Sequence, residues 1–325
     1  MLFTDPLTKT NIFQFPVITR QLVANFLLVG LAAVLVSLRF LARRVRRLPI
    51  WWDDIAAVVS LVLTSGVLGM HVSYANHGMG YHITELPLAN ITFIAKQLVA
   101  YQIVYIAAIC SVKLSYLFFY QRTFPTPEFR KWVWICMGIV LAYWSGCMLQ
   151  AFLICRPFEM NWNPTIPGGH CANYNVAFAT TGVLNAITDL IIMAFPTPLI
   201  SRLHLATGAK VGLIAIFAIG LFVTGVSIIR ITVLLNVNFS DLPYTMHDAA
   251  FWSVVEPAVA IINCCIPLLR PLLRAISPGG VWSSIKGSIH IRGESQEDRS
   301  RIQKKTSIQF DEYPLTRIED EAERC

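Results

Sequence analysis

Charge is scarce along this chain. Only 14% of its residues are Asp, Glu, Lys or Arg, where soluble domains carry about 25%, so an ordinary water-soluble fold is excluded. Catalytic signatures are missing too: there is no HExxH, GxSxG or P-loop pattern. The ten-residue alternation of a membrane barrel is absent. The N-terminus lacks a basic region leading into an apolar core and a small-residue cleavage site, so we expect no cleaved signal peptide and a first apolar segment that directs insertion. The net charge of +7 does not imply nucleic acid, because the basic residues flank hydrophobic runs, where membrane topology accounts for them.

What the chain has in abundance is long apolar sequence. Seven stretches, 18–40, 52–75, 91–120, 131–155, 172–201, 210–235 and 249–275, reach the roughly 20 residues that cross a bilayer core as a helix. Helices satisfy their own backbone in lipid, so the fold class is all-α: a polytopic membrane protein with seven transmembrane helices. The run Arg39-Phe40-Leu41-Ala42-Arg43-Arg44-Val45-Arg46-Arg47 follows the first stretch and is expected to stay on the cytoplasmic side. Arg122, Arg130 and Lys131 then mark the third connection, Arg202 and Lys210 the fifth, and Arg270, Arg274, Lys286 and Arg292 the tail. The intervening connections are nearly free of Lys and Arg, apart from Arg156. The pattern predicts an N-terminus outside and a C-terminus in the cytoplasm. It divides the chain into an outer segment 1–17, a membrane domain 18–276 and a largely disordered inner tail 277–325, charged and poor in large apolar residues.

Two features agree with that topology. The sequons Asn90-Ile91-Thr92 and Asn238-Phe239-Ser240 both fall on the outer side, making Asn90 and Asn238 candidate glycosylation sites. Cys155 and Cys171 bracket the fourth connection, where oxidising surroundings permit a disulfide, although two free thiols are the alternative. Cys110, Cys136, Cys147, Cys264 and Cys265 lie within spans and read as small packing hydrophobes.

Ionisable residues inside spans face the bundle and need partners. Asp53, Asp54, Lys113, Asp189, Arg230 and Glu256, together with Asn185, form a candidate intramembrane polar network. Arg230 and Glu256 lie at similar depth on consecutive spans, which predicts a pair between them. Asn185 and Asp189 are one helical turn apart and share a face that binds a ligand, holds an ion or locks helices together. Lys113 either snorkels to the surface or meets Asp53, Asp54 or Asp189, and we favour an ionic lock near the cytoplasmic end. Pro257 and Pro267 are expected to kink the last span. His71, His77 and His82 gather near the outer end of the second, but the Gly-rich loop there does not argue for a metal site.

Several stretches in order carry a family resemblance over residues 18–276: Trp51-Trp52-Asp53-Asp54, His77-Gly78-Met79-Gly80-Tyr81-His82, Val112-Lys113-Leu114-Ser115, Cys155-Arg156-Pro157, Ser227-Ile228-Ile229-Arg230, and Trp252 with Glu256. The chain resembles the fungal rhodopsin-domain integral membrane proteins, seven-helix proteins of which some are receptor-like and some are encoded in mycotoxin gene clusters such as that for satratoxins. Retinal is not expected, since the last span has no lysine for a Schiff base. The resemblance implies a receptor-like protein that senses an external or membrane-soluble small molecule. It would reside in the plasma membrane, and its partners would be the bilayer, that small molecule and a cytoplasmic signalling protein, with no nucleic acid, cofactor or metal. The alternative is a membrane-embedded enzyme or transport accessory acting on a lipophilic metabolite. For the enzyme, a protonated Asp189 or Glu256 would serve as general acid; Asp53-Asp54-Ile55-Ala56-Ala57 lacks the further Asp of a magnesium-binding DDxxD motif.

Overall fold

Each of the seven apolar stretches becomes one long helix. The computed structural model describes residues 9–10, 15–45, 47–123, 126–194 and 207–276, with backbone only for 207–219 and 268–276. Its long helices are α1 Pro16–Val45, α2 Trp52–Asn76, α3 Leu88–Thr123, α4 Pro127–Leu153, α5 Tyr174–Ala194, α6 Thr207–Leu235 and α7 His247–Ile276. Six are long and apolar enough to cross a membrane, and α6 makes a seventh if Gly220–Leu235 and Phe239–Thr245, bent by 79°, form one broken span. The chain is a multi-pass membrane protein. Most of the expected outer segment and the expected inner tail lie outside the described residues. Every contact discussed below belongs to the compact unit Met1–Leu269.

Local sequence explains where the helices begin and end. Asp53 and Asp54 occupy the first turn of α2, and Arg43 and Arg44 the last turn of α1, each opposing the partial charge of its helix end. Pro127 opens α4, where its missing N–H costs nothing. Hydroxyls within the spans return to carbonyls one turn back, as in Thr64 to Ser60 (2.7 Å) and Ser65 to Leu61 (2.8 Å), so these donors are not left bare in hydrocarbon. Pro257 and Pro267 sit inside a helix that runs continuously past both.

Burial distinguishes the roles of the helices. In the apolar window of α7, 72% of residues are buried, against 28% in α1. Leu27, Val62 and Phe222 stand out on the exterior, the kind of apolar surface that only lipid or a partner covers. α3 is the axis of the bundle and packs along α2, α4 and α5. It is laced to α7 by hydroxyls: Tyr101 donates to the Ala250 carbonyl (2.8 Å), Tyr116 to the Ala260 carbonyl (2.9 Å), and Ser115 lies 3.3 Å from Cys264 Sγ.

At one end, the strands β1 (Cys155–Arg156) and β2 (His170–Cys171) pair antiparallel and carry the Cys155–Cys171 disulfide. The α2–α3 and α6–α7 connections clasp one another there. His82 Nδ1 is 2.6 Å from Asp241, Ile83 N donates to the same carboxylate (2.9 Å), and the His82 ring stacks on Tyr244. Gly80, at φ +89°, donates its N–H to the Pro243 carbonyl (3.0 Å). An added Cβ there would lie 2.8 Å from Ile18, so both the backbone conformation and the space require glycine.

At the opposite end, the basic run departs from the sequence expectation. Arg39 and Arg43 are not loop charges: α1 continues through them, and both are buried. Spaced by four, they share one face of α1 and meet Asp53 and Asp54. Arg39 reaches Asp53 at 2.5 Å and Asp54 at 2.7 Å, while Arg43 pairs with Asp54 at 2.6 Å and also with Asp53. Arg39 Nη1 donates further to the Cys264 carbonyl (3.2 Å), and Ser115 donates to the Asp53 carbonyl (2.7 Å), which draws in α7 and α3. Removing one member of such a set leaves a buried charge without its partner, at about 3–5 kcal/mol. Arg39→Met should therefore abolish the monodisperse peak of detergent-extracted protein. Arg39→Met with Asp54→Leu leaves Arg43 and Asp53 matched and should recover it, as size-exclusion chromatography would report.

Candidate functional site

The remaining intramembrane charges gather in a second cluster, about two helical turns farther into the bundle. Lys113 of α3 lies 3.2 Å from Asp189 of α5 and donates to Thr188 Oγ1 (2.5 Å) and the Asn185 carbonyl (2.9 Å). Arg230 of α6 lies 2.8 Å from Glu256 of α7. Two neutral residues join the pairs. Asn185 Nδ2 donates to Glu256 (2.8 Å) and Asp189 (3.3 Å), and Ser227 donates to Glu256 and, at 3.4 Å, to Asp189. Tyr105 of α3 donates to the second Glu256 oxygen and offers its ring face to the Arg230 guanidinium, 4.4 Å from the centroid. Two cations, two anions and their bridging donors thus tie α3, α5, α6 and α7 together with no net charge, as burial in a low-dielectric core requires.

The structure revises the expected network in two ways. Asp53 and Asp54 do not belong with Lys113, Asn185, Asp189, Arg230 and Glu256; they pair with Arg39 and Arg43. Lys113 therefore neither snorkels nor meets Asp53 or Asp54, and it takes Asp189 instead. Tyr101, Tyr105, Tyr116 and Ser227 complete the site and were not anticipated. The available signal was their hydroxyls in apolar spans, each of which needs a partner in lipid.

The sequons also separate. Asn90 is wholly buried and its amide donates to the His77 carbonyl (2.8 Å), so it is withdrawn as a glycosylation site: a glycan needs that nitrogen free and exposed. Asn238 is exposed, with its Oδ1 accepting from Ser240 N (3.0 Å). The three histidines diverge. His71 meets Asn25 (3.1 Å), His77 the Ser73 carbonyl (2.7 Å), and His82 meets Asp241.

Between this cluster and the disulfide end lies open space. A cavity of about 300 Å³ is walled by α3, α5 and the loops at that end, with Ile94, Leu98, Trp162, Tyr174 and Phe178 among its lining. A smaller cavity of about 40 Å³ lies deeper, lined by Tyr105, Tyr143, Arg230 and Ser253. Leu98, Gln102 and Phe178 line both, so the larger space leads toward the charged cluster. Trp162 and Tyr174 line this space, and Lys96 sits 5.5 Å over the Trp162 ring.

Long apolar helices around a buried charged centre are the architecture of a multi-pass membrane protein. The model of the family described as the fungal rhodopsin domain matches residues 38–275. The chain belongs to that family. It is similar to satratoxin biosynthesis SC1 cluster protein 4 of Stachybotrys chartarum, 29% identical over 58% of this chain and 68% of the relative. It is also similar to polyenoic acids biosynthesis gene cluster protein Ba17b of Metarhizium anisopliae, 26% identical over 84% and 77%. A third relative is receptor GIN3 of Arthrobotrys oligospora, 23% identical over 58% and 46%. No solved structure matches. Within this fungal rhodopsin domain, the Arg230–Glu256 pair joins two of the shared stretches read from the sequence.

The geometry predicts an asymmetry between variants. Position 256 is reached by three neutral side chains that donate to it, Tyr105, Asn185 and Ser227, and an arginine there would require all three to turn their acceptor lone pairs toward it instead. The charge swap Arg230→Glu with Glu256→Arg should fail to restore folded protein, whereas Arg230→Gln with Glu256→Gln should retain it. Surface expression of the two double variants, compared with each single variant, reads the difference.

Proposed function

We propose that this protein is a receptor-like member of the fungal rhodopsin domain family, sensing an external or membrane-soluble small molecule from the disulfide end. In this reading that end faces outside and the Arg39 end faces the cytoplasm, as the distribution of basic residues between the spans suggests. The observation that carries the reading is the apolar cavity of about 300 Å³ between the disulfide-bearing loops and the charged cluster, a size in the range of small-molecule sites. A ligand there touches α3 and α5 and shifts whichever packing of the bundle holds it better. α3 passes the change along its hydroxyl contacts with α7 to the Arg39–Asp54 cluster, where a cytoplasmic signalling protein would read it. One relative is called a receptor and two others are named for biosynthetic clusters, which supports sensing tied to secondary metabolism in a fungus. Plasma-membrane residence follows from the same reading.

The topology has a direct check. Asn238 should carry a glycan, so a glycosidase that removes N-glycans should raise the protein's gel mobility. Asn238→Gln should abolish that shift, and Asn90→Gln should leave it unchanged. Function is tested by deleting the gene in its host and profiling both transcripts and metabolites. A receptor loses a transcriptional response while no biosynthetic intermediate accumulates, and Ala151→Phe, which fills the cavity wall, should not complement the deletion. Build-up of one defined intermediate would instead identify an enzyme, and finished product retained in cells would identify a transport accessory.

A further inference from the structure

The geometry points to an amphipathic anion as the ligand: an elongated apolar molecule ending in a carboxylate, its body in the large cavity and its head on Arg230. This rests on the reading of that cavity as the ligand site and names the chemistry the site accepts.

The polar groups at the deep end are unbalanced in one direction. Arg230 is the one charged residue lining either cavity, and no acidic side chain lines them among the described residues. Its Nε lies 2.8 Å from Glu256 without a hydrogen bond to it, and among the described residues neither Nη atom hydrogen-bonds to the protein. Glu256 meanwhile accepts from Tyr105, Asn185 and Ser227, so both of its oxygens are already engaged by neutral donors. Tyr105 holds the guanidinium by its ring face, which attracts the cation without occupying the in-plane N–H groups. Gln102, one turn from Tyr105 on α3, has a buried Nε2 with no partner and lines both cavities. The unpaired groups that line the deep end, Arg230 and Gln102 Nε2, are therefore donors, and the unpaired acceptor of the cluster, Asn185 Oδ1, lines neither cavity.

A planar carboxylate answers those donors. Its two oxygens match the paired Nη donors of arginine in a bidentate contact, and Gln102 Nε2 is placed at the junction to supply a third hydrogen bond. A neutral ester offers weaker acceptors, and an ammonium head would face the Arg230 cation. The apolar remainder of the ligand then lies against Ile94, Leu98, Val99 and Phe178, where each buried methylene adds to affinity.

The test uses the full chain in phosphatidylcholine nanodiscs, with decanoate, methyl decanoate and decylammonium as probes and Trp fluorescence as the readout. Decanoate should bind at least about tenfold tighter than its methyl ester, and decylammonium should not saturate. Arg230→Gln with Glu256→Gln should erase the acid-over-ester preference while ester binding persists. Gln102→Leu leaves the ion pair intact and should weaken decanoate severalfold without weakening the ester. Equal affinity for acid and ester, or a preference that survives both variants, overturns the anion. Phe178→Trp fills the passage between the cavities and should abolish saturable binding. If it leaves every probe's binding unchanged, or if no probe binds, the cavity is not the site and the receptor reading loses its support as well. If acid and ester bind alike yet Phe178→Trp abolishes both, the cavity stands and only the anion fails.

Discussion

Glu256 holds four helices to one point. A carboxylate in the middle of a membrane bundle is tolerated only where donors converge on it, and these come from Tyr105 on α3, Asn185 on α5, and Ser227 and Arg230 on α6. The positions of those helices about α7 follow from that demand. Lipid supplies no hydrophobic force between helices, because its tails are as apolar as the side chains it touches. Polar contacts of this kind therefore do more to specify the arrangement than apolar packing alone. The same logic accounts for the second cluster, where two arginines of α1 meet two aspartates of α2 and draw in α7 through the Cys264 carbonyl.

α3 connects these two centres. Tyr105 belongs to the Glu256 cluster, Lys113 to Asp189, and Ser115 to the Asp53 backbone. Ten residues of one helix, about 15 Å at 1.5 Å per residue, thus span the distance between them. A small rotation or slide of α3 cannot alter one centre without disturbing the other. Packed interiors switch between discrete arrangements rather than deforming smoothly, so this coupling is the property that a receptor-like reading needs.

How much of this was legible in the sequence depends on which force set each feature. Long apolar runs placed all seven helices because hydrophobic thickness alone determines them. Arg230 and Glu256 were legible as a pair from depth and adjacency, and the two cysteines from their position bracketing one loop. Arg39 and Arg43 were misread because basic residues after a span ordinarily remain in the loop; here α1 runs 30 residues, longer than the bilayer core requires, and carries them into the bundle. Asn90 failed as a sequon for a related reason. α3 starts at Leu88, so the asparagine falls in its first turn and is buried rather than lying in the loop. The tyrosines were illegible as network members because an aromatic ring in a span reads as packing, and only the spatial neighbours of its hydroxyl reveal the hydrogen bond.

The two charged centres differ in one respect that separates scaffold from site. Around Arg39 and Arg43 the fork-like donors are matched to two carboxylates and to backbone carbonyls, and even the Asp53 oxygen with no hydrogen bond lies 4.0 Å from Arg122. Around Arg230 the matching is incomplete: Gln102 Nε2, Asn185 Oδ1 and Arg230 Nε are buried without hydrogen-bond partners, although Nε lies 2.8 Å from Glu256. Unsatisfied polar groups are costly in a dry interior and are rare where structure is their sole purpose. A network that is complete on its own locks helices in place. One that is left short beside an open cavity has room in its hydrogen bonding for a visitor, and the unpaired groups that line that cavity, Arg230 and Gln102 Nε2, are donors.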